Sequence, residues 1–441
     1  MTESGTNQQN KGSKDSSNGM NWWQLSLIGI GCTIGTGFFL GSSIGILQAG
    51  PLIILAFLLA ATGTYFIYGL LAEMTALDPQ EGSFCTYAGK AFGRWASFSS
   101  GWNYWCSNVL VMGSQLIALA TLTQYWFPNI ELWMLAALYA SLATGILFLG
   151  TGGFDKAEDV FAIIKIAAIF MFIIFGVLLL SGMIDIERQP NSIGSSFFLK
   201  GLTGLITSLL FAYYAFGGIE VIGMMAVRLK NTADAAKAGK IMIVLLAIIY
   251  IASLSLAVLL VPLSRFNTNE SPFMTVFRMF DLPILLHLFN GAIIIAGFST
   301  MTAVLYSVTN LLLNLAKDKE APSMFAKRSE HFKGLPLHSL VLSVIGLSIS
   351  VVAALLLPGK VYEYITTAAG ILLLYNWVFI TASSFKLLTG SLRVYGSGIT
   401  GLLLIICAII GTVVEPTLRP GFYISMAVVL LISAITWKVH K

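Results

Sequence analysis

Long apolar runs recur along the whole chain, near residues 22–47, 51–77, 98–126, 132–150, 160–182, 202–227, 240–262, 284–316, 338–357, 361–385, 397–414 and 420–437. A hydrocarbon core takes about twenty apolar residues per helix, so each run is long enough to cross a bilayer. Only helices or closed barrels satisfy their backbone there, and these runs far exceed the roughly ten alternating residues of a barrel strand. The expected fold is therefore an all-α polytopic membrane protein with twelve transmembrane helices. Composition agrees: of 441 residues 57% are hydrophobic and only 10% charged, against about a quarter charged in soluble domains. A water-soluble globule is excluded.

An even number of spans puts both termini on one side. If that side is the cytosol, eighteen Lys and Arg fall in inner segments and six in outer ones (Arg188, Lys200, Arg265, Arg278, Lys360, Arg419); Lys165, inside the fifth run, completes the total of 25. The positive-inside rule then places both termini in the cytosol. Residues 1–20 are polar and carry no apolar segment, so they are expected to form a disordered cytosolic tail rather than a signal peptide. The net charge of +5 (25 minus 20) is too small for a nucleic-acid footprint.

Other functional classes lack their motifs. Cys32, Cys85, Cys106 and Cys407 have no metal-ligand spacing, and the four histidines are scattered without HExxH, so no metal or cofactor is expected. No GxxxxGK[ST] loop is present, which argues against ATP as a partner. Gly41-Ser42-Ser43-Ile44-Gly45 matches GxSxG, but a nucleophile elbow needs a strand-turn-helix setting that an apolar span does not provide. The chain is expected to be no enzyme.

Two spans are interrupted, the first and the sixth. The first contains Gly29-Ile30-Gly31-Cys32-Thr33-Ile34-Gly35-Thr36-Gly37. Each such glycine costs a helix interior roughly 1 kcal/mol relative to alanine, more than a simple anchor needs. The sixth contains Phe216-Gly217-Gly218-Ile219-Glu220, with a carboxylate in mid-segment. Close helix packing is the plain alternative for either stretch. Their spacing favours a second reading: each break opens a five-span unit, and five being odd, the second unit enters from the opposite face. That pattern belongs to an inverted repeat whose broken helices build a midplane site. The expected division is 21–183 for the first repeat, 200–386 for the second, and 396–441 for two further helices with a short cytosolic tail.

The first-span stretch, continuing as Phe38-Phe39-Leu40-Gly41 and then Gln48-Ala49-Gly50-Pro51, resembles the bacterial amino acid transporter family of the amino acid–polyamine–organocation superfamily. Gly82-Ser83-Phe84, Gly101-Trp102-Asn103-Tyr104-Trp105, Phe161-Ala162-Ile163-Ile164-Lys165, the Phe216–Glu220 stretch and Ala368-Ala369-Gly370 extend the likeness in order over residues 20 to 390. The resemblance implies the five-plus-five inverted repeat with two C-terminal helices. It also implies uptake of amino acids, usually with protons, across the bacterial cytoplasmic membrane.

A zwitterion in a low-dielectric cavity needs both charges satisfied. The unwound first span can offer N–H groups from Ile34, Gly35, Thr36 and Gly37 to a carboxylate, where the helix dipole also favours an anion. Carbonyls near Cys32 and Thr33, and along Ala215, Phe216, Gly217 and Gly218 as far as Ile219, can receive the ammonium group. Proton coupling needs an ionisable group, and Lys165 is the first candidate, with a snorkelling lysine as the alternative. By resemblance, the span-5 lysine of this family lies against spans 1 and 8, where sodium-coupled relatives hold an ion. Glu220 has three roles open to it: binding the substrate amine, carrying a proton, or capping freed backbone. Gln115 stands in span 3 where many relatives carry glutamate, which argues for a neutral substrate. The expectation is thus a proton-coupled importer of an α-amino acid, with a same-fold exchanger and a non-transporting amino acid sensor as rivals.

Overall fold

The computed structural model describes residues 19–80, 82–149, 151–183, 200–329, 334–357, 359–388 and 391–439. The expected N-terminal tail lies outside them up to residue 18, as do the last two residues of the C-terminal tail. The first apolar run forms three helices, α1 (Trp22–Thr33), α2 (Thr36–Phe39) and α3 (Gly41–Ala49), followed by α4 (Ile53–Leu77), α5 (Ser83–Phe92), α6 (Arg94–Gln124), α7 (Leu132–Leu149) and α8 (Thr151–Ser181). The remainder comprises α9 (Gly201–Ala215), α10 (Ile219–Met225), α11 (Ala235–Leu260), α12 (Pro272–Met279), α13 (Pro283–Lys317), α14 (Leu337–Leu356), α15 (Val361–Leu387), α16 (Leu392–Val414) and α17 (Arg419–Val439). Among the described residues the chain is helical, with β-pairing limited to two isolated bridges.

Ten of these helical stretches are long and apolar enough to cross a membrane, and Leu132–Phe148 is a shorter apolar helix. The number falls below the twelve expected for two local reasons. The break at Thr33 leaves α1 only 12 residues long, and the rest of that run continues through a tight turn at Gly50–Leu52 into α4, so the first two runs count once; the fourth run forms the shorter helix Leu132–Phe148. This is a multi-pass membrane protein: α17 turns Tyr423, Leu430, Leu431 and Trp437 outward, which a solvent of lipid tolerates and water does not.

Two short helices lie between apolar runs. In α5 the residues Phe84, Tyr87, Ala88 and Ala91 are buried while Lys90 is exposed, the one-sided spacing that docks a short helix on a bundle. In α12, Pro272 occupies the first turn, where its missing N–H costs nothing, and Phe273, Met274, Val276 and Phe277 are buried.

Helix α6 runs through the centre, packed against α13 and α15, while α3 packs on α9 and α1 on α11. Lipid removes the water-exclusion force between spans, so close packing has to hold them together. An aromatic cluster does this beside α2: Phe38 stacks on Tyr250 with ring centroids 3.9 Å apart and touches Phe57 and Phe273, and Phe39 meets Phe289 edge-on. Each such pair contributes about 0.5–1.5 kcal/mol beyond its buried area.

Candidate functional site

The first break is an extended two-residue segment. Ile34 N–H still bonds the Ile30 carbonyl at 3.0 Å and so closes α1. Gly35 is extended, and its carbonyl receives Phe38 and Phe39 N–H. The N–H groups of Gly35, Thr36 and Gly37 therefore have no acceptor among the described residues. No side chain caps α2. Glycine at 37 is a steric requirement, because a Cβ there would sit 2.9 Å from two ring atoms of Tyr214.

The second break is built differently. Helix α9 ends at Ala215, a turn carries Phe216 and Gly217, and Gly218 adopts φ +106° before α10 begins. That left-handed conformation suits glycine alone at low cost. Glu220, only 2% exposed, folds back so that its carboxylate accepts Gly218 N–H at 3.2 and 3.3 Å. It also accepts the Tyr104 hydroxyl at 3.3 Å and Trp377 Nε1–H at 3.4 Å. The carboxylate at the start of α10 thus caps the helix where the dipole favours it.

The two breaks face each other. A Cβ on Gly218 would lie 3.5 Å from Thr33 Oγ1 and 3.8 Å from the Cys32 carbonyl. Between them lies a cavity of about 110 Å³. Of the residues singled out in the sequence, Cys32, Thr33, Gly35, Gly37, Gln115, Gly217, Gly218 and Glu220 line it. Ile34, Thr36, Ala215, Phe216 and Ile219 are buried beside it without lining it. Two backbone groups expected to face a substrate are already engaged: Ile34 N–H by Ile30, as above, and the Ala215 carbonyl by the Tyr250 hydroxyl at 3.2 Å.

The remaining wall comes from Val111, Tyr214, Val221, Thr300, Ala303, Val304, Ser307 and Leu373. A run of small polar residues in the eighth apolar stretch was the one sequence signal for Thr300 and Ser307. Tyr214 had none beyond standing one turn before the glycine pair. Glu220 is the one charged side chain in the lining, and its oxygens are occupied as described. Thr33 Oγ1 and Gln115 Oε1 have no hydrogen-bond partner among the described residues, a cost of about 1–3 kcal/mol for each such buried group.

Lys165 lies behind this wall rather than in it. It is 1% exposed, and its ammonium donates to the Gly31 carbonyl and to Thr300 Oγ1, both at 3.0 Å. The snorkelling alternative does not describe this side chain. The Thr300 hydroxyl itself donates a hydrogen bond to the Ala296 carbonyl at 2.8 Å, so one hydroxyl faces the cavity, accepts from Lys165 and donates to its own helix.

Toward the Gln124 end of α6 two hydroxyl contacts stand beside the cavity. Ser114 and Tyr214 share a hydrogen bond of 2.5 Å, and the Tyr362 hydroxyl donates to the Thr36 carbonyl at 3.3 Å. Beyond Tyr362 are a small cavity of about 30 Å³ and a wider one of about 380 Å³ lined by Thr121, Tyr125, Asn267, Glu270 and Arg278. The wider cavity is distant from both breaks and holds the Glu270–Arg278 ion pair, 2.5 Å long. Chemistry rather than size identifies the smaller, central one as the candidate site.

The same architecture is reflected in sequence similarity. The uncharacterized transporter YcgH of Bacillus subtilis is 48% identical, covering 95% of this chain and 94% of that protein. The aromatic amino acid transport protein AroP of Corynebacterium glutamicum is 31% identical, covering 84% and 81% respectively. The gamma-aminobutyric acid permease of Bacillus subtilis is 30% identical, covering 82% and 78%. The family model for amino acid permeases matches residues 24–438. With two interrupted helices facing one cavity and this likeness running nearly end to end, the chain belongs to the amino acid permease family and is a membrane transporter, not an enzyme.

Proposed function

We propose that this permease is a secondary active importer of a neutral α-amino acid, coupled to protons and working by alternating access in the bacterial cytoplasmic membrane. Its spans number twelve, in a five-plus-five inverted repeat with two added helices and both termini in the cytosol. The carrying observation is that two helix breaks, in the first and sixth apolar stretches, meet at one cavity. The free N–H groups of Gly35 and Gly37 receive the substrate carboxylate, and the carbonyls of Cys32 and Thr33, with Gly217 opposite, receive its ammonium group. A neutral side chain follows from the lining, in which the oxygens of Glu220 are already filled by Gly218, Tyr104 and Trp377. The named substrates of the relatives, aromatic amino acids and gamma-aminobutyric acid, agree with a zwitterion whose remainder is uncharged.

Coupling runs through Lys165. In its charged form the ammonium holds the Gly31 carbonyl and Thr300 by charge-assisted bonds, so it ties α1 to α8 and α13. The neutral amine grips both more weakly, and α1 is then released to move. The contacts of Ser114 with Tyr214 and of Tyr362 with Thr36 act as the outer barrier in this scheme.

The test is uptake of radiolabelled amino acids into proteoliposomes, with and without an inward proton gradient, by wild type and Lys165→Ala. The expected result is gradient-driven accumulation in wild type that the variant loses while keeping counterflow exchange. Accumulation unchanged in Lys165→Ala would remove Lys165 from the mechanism. Uptake that ignores the gradient but responds to internal amino acid would make the protein an exchanger, and saturable binding without flux would make it a sensor.

A further inference from the structure

The backbone scheme leaves one lining side chain unexplained. Gln115 on α6 is 5% exposed, lines the cavity, and has a carbonyl oxygen with no partner among the described residues. Its Nε2 lies 3.8 Å from the point where a Cβ on Gly35 would stand, and Thr300 Oγ1 lies 3.5 Å from the same point. The carboxamide therefore sits against the turn whose N–H groups are free. Buried amides in a packed interior are normally paired; the unpaired Gln115 oxygen can take only a donor, such as the substrate ammonium, whereas Nε2, the amide atom nearest Gly35, is the one that can donate to a carboxylate held there.

We propose that Gln115 is a specificity-determining residue, donating from Nε2 to the substrate carboxylate next to the N–H groups of Gly35 and Gly37. This makes the cavity selective for α-amino acids over primary amines that lack the acid group. The inference rests on the transport reading above and adds to it the side chain that recognises the acid end. Glutamine can donate there, whereas an ionised glutamate can only accept. Gln115→Glu thus sets a negative charge beside the substrate carboxylate, and Gln115→Met keeps the length while removing the donor.

The experiment compares wild type, Gln115→Met and Gln115→Glu in proteoliposomes, using leucine and phenylalanine against isopentylamine and phenethylamine. Thermal stabilisation of the detergent-solubilised proteins by the same four compounds gives a binding readout that does not depend on flux. Wild type is expected to favour the acids over the amines. In Gln115→Met the KM for the acids should rise about tenfold with kcat retained, as for loss of one charge-assisted hydrogen bond. In Gln115→Glu the preference should narrow or reverse toward the amines. Variants that keep the wild-type KM, acid-to-amine ratio and ligand-induced stabilisation overturn the proposal while leaving transport intact. A monodisperse wild type that neither binds nor carries any of the four overturns the transport reading and this inference with it.

Discussion

The two helix breaks solve one problem in opposite ways. Each interrupts an apolar segment and frees backbone groups inside the helix bundle. At the second, Glu220 takes up the Gly218 N–H and two further donors from Tyr104 and Trp377, so the break is closed by the protein itself. At the first, among the described residues no side chain caps α2 and the N–H groups of Gly35, Thr36 and Gly37 have no acceptors. A self-capped break is a wall; an uncapped one stores unmet hydrogen bonds for a ligand to satisfy. In the proposed scheme the first break supplies the donors for the acid end of the substrate, and the self-capped second break holds its carbonyls in place opposite them.

The most severe test of this contrast is Glu220→Ala. It strands three buried donors at once, and the expected cost is about 3 kcal/mol or more, read as a large fall of the thermal midpoint in detergent. Glu220→Gln, which keeps an acceptor, should recover most of that loss. Equal midpoints for alanine and wild type would mean that the second break does not depend on its cap. Next in size is Gly37→Ala, whose added methyl collides with the Tyr214 ring. Overpacking of about 1–3 kcal/mol is expected, with uptake reduced about tenfold or more. Unreduced uptake would show that the close approach of α2 to Tyr214 is dispensable.

Thr33→Val sharpens the comparison further. The hydroxyl has no partner among the described residues, so stability should hold to within about 1 kcal/mol while the KM for substrate rises several-fold. A clear loss of stability with unchanged KM would argue for a purely structural hydroxyl. The smallest effect lies away from both breaks, at the α4–α5 loop. Hydrogen bonds from Lys90 and Gln80 hold the Asp78 carboxyl below its usual range. A lowered folded-state pKa contributes stability above the unfolded value, near 3.9, and loses it as pH falls through the folded value. Asp78→Asn should therefore differ little from wild type at neutral pH, because the pair is exposed, and should flatten the acid limb of the stability curve. An identical acid limb would show that the pair contributes nothing.

Much of this arrangement was legible because it is local. Apolar run lengths mark the helices, and glycine density marks both breaks, since a helix interior resists glycine wherever it occurs. Glu220 was conspicuous as a carboxylate in an apolar stretch, and Lys165 as a cation in one. A cap was one of three open readings for Glu220, and its partners Tyr104 and Trp377, 116 and 157 positions away, were not legible locally. Tyr214 and Tyr362 gave no signal, because an aromatic in a span is ordinary and its significance lies in which way the helix is turned. The short helices α5 and α12 fall outside the apolar runs for different reasons: α5 has one buried face, and α12, buried from residue 272 to 277, is only eight residues long.

By itself, then, the sequence determined that the chain is helical and membrane-spanning, where its helices fail, and which ionisable groups are buried in apolar stretches. These follow from transfer energies and backbone preferences that act over a few neighbouring residues. Tertiary structure decided that the two breaks meet, that Glu220 is spent on Gly218, Tyr104 and Trp377, that Lys165 reaches Gly31 and Thr300, and that Gln115 faces the uncapped turn. Those facts depend on the rotation and depth of helices packed by van der Waals contact, a property of the assembled bundle that no short stretch of sequence contains.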